Sequence, residues 1–423
     1  LKVLAPTVFV VALLGVFRGF FQGLNTMMPS AFSQVAEQIL NAIVSVVAAY
    51  MLYSYGKRVG AVLGDADAYA AAYGAAGGTL GTAAGAFLAF LFVLFVYLVY
   101  RKRFKKRMRR DHHREQESYG HVLKMLLLTI FPILLSTIVY NVSTLIDQGV
   151  FKNIASLQGY SAKQISEWWG VYSGQFIVLT NVPISISTAL AASCVPALAA
   201  AFAQKDDAQV RSKIGMSMRF IMVVAMPCTA GIMVLADPII QLLFPGSSAL
   251  AGHLLQAGGI SVIFYSISTL SNAVLQGIDQ MHVPVRNASI ALVLHAGVIA
   301  VAMFGFDLKI YGICIGTIAF SLIMCILNGL SVRKHSGFKP NVAKTFVKPA
   351  IASVIMGVVV YAAYFVVHKA LHSNAIGVVV AVLVGMIVYA AALLLIKGLT
   401  EEELHSFPKG ELIIWIAKKF HLL

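Results

Sequence analysis

The chain has 423 residues, of which 59% are hydrophobic and only 12% are charged, and its mean hydropathy is +0.84. This composition excludes a soluble multidomain protein and indicates a polytopic α-helical membrane protein. The net charge of +15 must then lie in the connecting segments, where it orients the chain and attracts it to an anionic leaflet.

Apolar stretches of about 20 residues, the length that crosses a bilayer, predict eleven transmembrane helices in this chain. The third and fifth are longer than a bilayer requires, so we expect them to tilt or protrude. The four cysteines fall inside apolar stretches without metal-ligand or disulfide spacing, and we interpret them as core residues. The predicted spans cover residues 3–21, 31–52, 68–100, 122–145, 170–202, 214–235, 254–278, 288–304, 310–330, 350–367 and 375–396.

The spans and connectors predict five regions along the chain. Three spans fill residues 1–100, a basic linker follows at 101–121, and six spans fill residues 122–332. Residues 333–398 form a C-terminal helix pair, and residues 399–423 a tail that we expect to lie on the cytoplasmic surface as an interfacial helix. In the third span Gly77, Gly81 and Gly85 stand four residues apart among alanines, which predicts a tight helix-packing seam.

The basic residues predict the orientation of the chain. If the connectors alternate sides, 25 of the 32 Lys and Arg residues lie on one side of the membrane and 7 on the other. The positive-inside rule assigns the richer side to the cytoplasm, which places residue 1 outside and the C-terminus inside.

The first and seventh spans end in similar sequences. One reads Phe21-Gln-Gly-Leu-Asn-Thr-Met-Met-Pro29 and the other Leu275-Gln-Gly-Ile-Asp-Gln-Met-His-Val-Pro284. Both leave a helix on the predicted cytoplasmic side, six spans apart, which favours two parallel six-helix repeats over a chance similarity of membrane hairpins. If the first span is the fourth helix of its repeat, three helices precede residue 1 and the intact protein has fourteen.

Several segments resemble a known family. Phe17-Arg-Gly-Phe-Phe-Gln-Gly23, Met28-Pro-Ser-Ala-Phe-Ser-Gln-Val-Ala-Glu-Gln38 and Leu275-Gln-Gly277 are similar to the polysaccharide-transport branch of the multidrug/oligosaccharidyl-lipid/polysaccharide exporter superfamily. Within that branch they resemble the MurJ-like lipid II flippases and the stage V sporulation protein B family. The resemblance implies an all-α, MATE/MurJ-like fold with two six-helix lobes and a C-terminal helix pair. It also implies that the protein moves undecaprenyl-pyrophosphate-linked saccharides across the bacterial plasma membrane by alternating access.

Polar residues inside the spans are the candidate site residues. An ionisable side chain at a helix centre costs about 2.5–3.5 kcal/mol on insertion scales and is usually kept for a function. Stripes of polar residues predict an aqueous cavity, and Pro183 predicts an interruption of the fifth span beside it. The candidates are Arg18, Gln22, Gln34, Glu37, Gln38, Asn41, Tyr140, Thr144, Asp147, Asn181, Ser185, Asn272 and Gln276.

Three of these candidates leave alternatives open. Arg18 either binds the lipid pyrophosphate bidentately or extends into the headgroup region, and the shared face with Gln22 favours the first. Glu37 is either a cavity residue or the charge partner of Arg18. Asp147 lies near the outer end of its span and is either a cavity residue or exposed to water.

No sequence motif for ATP binding or for hydrolytic catalysis stands in a credible context. We therefore predict a monomeric transporter that is not an enzyme and has no cofactor, metal or nucleic-acid partner, with lipid-linked saccharide and membrane lipids as its partners. Membrane potential, an unidentified coupling ion or the substrate gradient would drive it. The alternatives are a MATE-type drug/cation antiporter, which typically has twelve helices, and a membrane-embedded glycosyltransferase or acyltransferase, for which the outer loops offer only scattered charges.

Overall fold

The computed structural model consists of α-helices, short π-helical segments and turns throughout its described part. It divides into two compact units, Leu1–Ser118 and Tyr119–Leu423, and the boundary between them falls in the predicted basic linker. The other predicted region boundaries stay a prediction. The structure describes residues 4–24, 26, 28–109, 118–399 and 411.

The first unit contains three long helices, α1 (Leu4–Gly23), α2 (Met28–Leu63) and α3 (Ala66–Met108). Two of them, α2 and α3, run antiparallel, and the predicted glycine seam between them is confirmed. A Cβ atom added at Gly81 would lie 2.7 Å from the carbonyl oxygen of Asn41, and one at Gly85 would lie 2.6 Å from that of Glu37. Only glycine allows the two backbones to approach this closely.

Both α2 and α3 continue beyond their predicted spans. The second span was expected to end at residue 52, but α2 reaches Leu63, and α3 runs through the first part of the predicted linker to Met108. Adding residues to an existing helix costs little, so the hydrogen bonds continue past the apolar stretch that hydropathy detects.

The second unit contains eleven α-helices among its described residues. Three π-helical segments, at 172–176, 301–305 and 343–347, each join an α-helix without a break. The helices are α4 (Tyr119–Leu157), α5 (Ala162–Val171), α6 (Ile177–Ala203), α7 (Asp207–Val234), α8 (Ala236–Leu243), α9 (Ala249–Gly258), α10 (Ser261–Gly277), α11 (His282–Ala300), α12 (Ile310–Ser336), α13 (Lys348–Leu371) and α14 (Asn374–Leu395).

Nine helices of the described part are long and apolar enough to cross a membrane, and α9 with α10 makes a tenth if the bent pair forms one span. The fourth predicted span, 122–145, lies in α4, which is helical over all 39 residues. Several of its side chains between positions 129 and 140 lie outside the described residues.

The predicted seventh span is not one straight helix. It breaks between α9 and α10, where the chain bends by 49°. Two glycines at this point leave no room for side chains: a Cβ atom at Gly258 would meet the ring of Phe176, and one at Gly259 would lie 2.6 Å from Met233 Cγ. Hydropathy does not detect a bend that depends on packing of this kind.

The predicted interruption at Pro183 is wrong, because α6 continues through this proline. Hydroxyl groups bind carbonyl oxygens on both sides of it: Thr180 Oγ1 donates to Phe176 O at 2.9 Å, and Ser187 Oγ donates to Pro183 O at 3.2 Å. Pro183 itself is buried, and packing against neighbouring helices allows a transmembrane helix to contain proline.

The centre of the second unit is formed by α6, α7 and α10, which bury Leu198, Ile221 and Leu270 between them. The last two helices, α13 and α14, pack against each other and against α7. Arg219 Nη2 on α7 donates to the carbonyl of Gly398 at 2.8 Å, which fixes the end of this helix pair. The predicted interfacial tail lies outside the described residues except for Leu399 and Glu411.

Candidate functional site

The first polar cluster is built on α1 and α2. One face of α1 packs against α3 through Phe17 and Phe20, whose rings lie 5.2 and 5.3 Å from the ring of Tyr97. Arg18 therefore points toward α2, where its Nη2 lies 2.7 Å from Glu37 Oε2 and its Nε donates to Ser33 Oγ at 2.9 Å. The sequence did not indicate Ser33, because a single serine in a helix carries no specific signal.

The Arg18–Glu37 ion pair is only partly accessible, since the two side chains are 16% and 19% exposed. Each charge compensates the other, which offsets the cost of placing both inside an apolar helix pair. The structure thus shows Glu37 as the charge partner of Arg18. A phosphate group that bound this guanidinium would have to share it with Glu37.

The remaining residues of the predicted stripe do not share one environment. Gln22, Gln34 and Gln38 are exposed, whereas Asn41 is half-buried. The Ser45 hydroxyl lies 2.9 Å from Asn41 Oδ1 and 2.9 Å from the Gly78 carbonyl oxygen, so Asn41 takes part in the packing of α2 against α3.

The second polar cluster is a groove of about 470 Å³ between α6 and α10 in the second unit. Of the predicted residues, Asn272 and Gln276 line it, whereas Asn181 and Ser185 are exposed on α6 outside it. The Ser185 hydroxyl donates to the carbonyl of Asn181 at 2.8 Å. The polar side chains of the groove are Thr188, Tyr265, Ser268, Thr269, Asn272 and Gln276.

A buried amide ladder holds Asn272 in place. Asn328 Nδ2 on α12 donates to Asn272 Oδ1 at 2.7 Å, and Asn287 Nδ2 on α11 donates to Asn328 Oδ1 at 2.9 Å. Asn287 also donates to Ser331 Oγ at 3.0 Å. The groove wall is therefore connected to two further helices, through residues that the sequence analysis did not identify.

Of the two alternatives for Asp147, exposure to water is wrong. Its side chain is buried, and Oδ1 lies 2.5 Å from Nε2 of His295 on α11. The sequence analysis missed His295, although an ionisable residue in the middle of the eighth span fits the rule applied to the other candidates. Of the remaining candidates on α4, Thr144 is exposed, and the side chain of Tyr140 lies outside the described residues.

Known proteins resemble this chain over most of its length. A family model described as lipid II flippase MurJ matches residues 1–371. Stage V sporulation protein B of Bacillus subtilis (strain 168) is 24% identical over 336 residues, which are 79% of this chain and 61% of that protein. The lipid II flippase MurJ of the same organism is 25% identical over 368 residues, 85% of this chain and 64% of that protein.

A solved structure has a similar fold. The lipid II flippase MurJ in an inward closed conformation superposes with a TM-score of 0.60 at 17% identity, covering 92% of this chain and 73% of that one. At this identity the likeness concerns the fold alone. The chain spans about three fifths of the length of the curated relatives described above.

Proposed function

Because the chain belongs to the lipid II flippase MurJ family, we propose that it moves undecaprenyl-pyrophosphate-linked saccharides, precursors of the cell wall or of a surface polysaccharide, across the bacterial plasma membrane. The observation that carries the proposal is the family match over residues 1–371, on a multi-pass helical chain. Transport proceeds by alternating access, without chemical change of the substrate, and the protein acts as a monomer.

The groove between α6 and α10 has groups suited to the saccharide of such a substrate. Amides and hydroxyls offer both donors and acceptors, which matches the hydroxyl groups of a saccharide, so Asn272, Gln276 and Thr188 contact the sugar. Arg18 contacts the pyrophosphate, because a guanidinium forms paired hydrogen bonds to phosphate oxygens. The polyprenyl tail stays in lipid.

The orientation follows from the basic residues. With residue 1 outside and the C-terminus in the cytoplasm, 25 of the 32 Lys and Arg residues face the cytoplasm. Membrane potential, an ion gradient or the substrate gradient drives transport.

The test is labelling of lipid II at the outer face of cells depleted of their own flippase. The protein is expressed from its complete reading frame, and we expect it to restore labelling. The variant Asn272→Ala/Gln276→Ala should reduce labelling at unchanged protein level. The matched control is Ser193→Ala on α6, whose exposed hydroxyl donates only within its own helix, to Leu190 O.

Equal labelling with and without the protein would contradict transport of lipid II. Two other outcomes would favour the alternatives. Drug resistance on expression, without an effect on cell-wall precursors, would indicate a drug/cation antiporter. Turnover of a lipid-linked substrate by the purified protein without transport would indicate an enzyme.

A further inference from the structure

The second unit contains a buried pair of ionisable groups that the proposed substrate contacts do not use. The side chains of Asp147 and His295 are 8% and 1% exposed, and Asp147 Oδ1 lies 2.5 Å from His295 Nε2. On the other side of the ring, His295 Nδ1 lies 2.8 Å from the backbone carbonyl oxygen of Gly316. Three helices, α4, α11 and α12, therefore meet at one imidazole.

The geometry determines how many protons the pair holds. A carbonyl oxygen only accepts hydrogen bonds, so Nδ1 of His295 must carry a proton toward Gly316. If the ring were neutral and Asp147 ionised, the lone pair of Nε2 would face a carboxylate oxygen at 2.5 Å, which is repulsive. A separation of this length requires a second proton between Nε2 and Oδ1, whichever of the two atoms holds it more tightly.

Among the described side chains that contact the pair, none carries a charge that would stabilise it. Phe320 packs edge-on against the imidazole with ring centroids 5.5 Å apart. Tyr172, whose hydroxyl bonds Thr317 at 2.7 Å, lies close enough to interact electrostatically with Asp147. Its hydroxyl is uncharged in the protonated form. Loss of the shared proton would leave one uncompensated negative charge in an apolar interior, which is strongly unfavourable.

The proton is therefore linked to helix packing. Asp147 lies on the face of α4 that packs against α11, and a repulsive contact there would favour separation of the two helices. A group that binds a proton in one packing and loses it in another couples proton binding to the conformational change.

We propose that Asp147 and His295 form a proton-binding site that couples proton movement to the conformational cycle of the transporter. The proton is bound while α4 is packed on α11 and is released to water when the two helices separate. The inference rests on the proposed function, and it identifies the coupling ion as a proton.

The test measures the separation of α4 and α11 as a function of pH. Spin labels are attached by Leu145→Cys and Val293→Cys, both at exposed positions, in the full-length protein with its native cysteines replaced. Distances are recorded by pulsed electron resonance in lipid nanodiscs. Between about pH 5 and about pH 9 we expect the ratio of packed to separated helices to fall about tenfold or more, because only the protonated pair favours packing.

The critical variant is Asp147→Asn. Its amide donates to the lone pair of a neutral His295, so the contact is kept without a shared proton, and we expect less than about a twofold change over the same range. The double variant Asp147→Asn/His295→Gln has no titratable group at this contact and should be equally insensitive, which covers a failure of the first variant to fold. The control Asp307→Asn, an exposed carboxylate beside Tyr160, should keep the full pH response.

Three results would overturn the proposal: a wild-type distance that ignores pH, a pH response that survives in Asp147→Asn, or restoration of the packed form by Na⁺ at high pH. The distance measurement needs no lipid-linked substrate. If the distance depends on pH but expression of the protein does not change lipid II labelling, the proposed function is refuted and the proton site stands. If the protein restores labelling but the distance does not depend on pH, the proton site alone is refuted.

Discussion

The glycine seam between α2 and α3 makes a quantitative prediction. In Gly81→Ala the new methyl group would overlap the Ser45 hydroxyl and lie 2.7 Å from the carbonyl oxygen of Asn41. Backbone atoms cannot give way as a flexible side chain can, so the helices must move apart. Overpacking of this kind typically costs about 1–3 kcal/mol, while replacing glycine by alanine inside a helix contributes about 1 kcal/mol in the other direction.

The expected net result is a loss of up to about 2 kcal/mol in the free energy of unfolding, which lowers the unfolding temperature of the detergent-solubilised protein by up to a few degrees. The control is Gly78→Ala, three residues earlier on the same helix, where a Cβ atom meets nothing within 4 Å. Gly78→Ala keeps the Ser45 hydrogen bond to the backbone and gains helix propensity, so it should be neutral or more stable. If Gly81→Ala were as stable as Gly78→Ala, the close approach of the two helices would be refuted.

Two other predictions concern buried polar contacts. Arg18→Gln and Glu37→Gln should each lower the free energy of unfolding by about 1–2 kcal/mol. The loss in the double variant should be about 1 kcal/mol smaller than the sum of the two single losses, because the second change removes the charge left unpaired by the first. Additive losses in thermal unfolding would show that the 2.7 Å ion pair contributes nothing. Asn328→Leu should cost about 1–2 kcal/mol and reduce lipid II labelling, because it removes the hydrogen bond from Asn328 Nδ2 to Asn272 Oδ1. Ser331→Ala should cost about 0.5 kcal/mol and leave labelling unchanged. Equal effects of these two substitutions would contradict the ladder.

Some of these contacts were predictable because their signal is local. Four-residue spacing of small residues is enough to predict the seam at Gly81, since such a pattern has one dominant use in membrane helices. The pairing of Arg18 with Glu37 was one of two alternatives, because intramembrane charges tend to pair and both lie near the same connection. Hydropathy located the apolar part of each helix but not its ends.

Other contacts were not predictable because the partners are distant in the chain. Asp147 and His295 are 148 residues apart, so the position of Asp147 near a span end suggested water contact when its partner lies on another helix. The bend beside Gly258 depends on the ring of Phe176, which a single-sequence pattern does not reveal. Pro183 has the residue type that interrupts helices, yet α6 continues through it where it is buried against its neighbours.

The π segment at 172–176 accommodates one extra residue between α5 and α6. A π turn contains one residue more than an α turn, so its wider turn takes up that residue with little rotation of the helix that follows. Deleting a single residue within the segment would therefore restore α geometry and leave Thr188, on the groove, close to its present orientation relative to Trp168 on α5. A one-residue insertion that formed no second π turn would instead rotate Thr188 by about 100° about the helix axis and change which side chains face the groove.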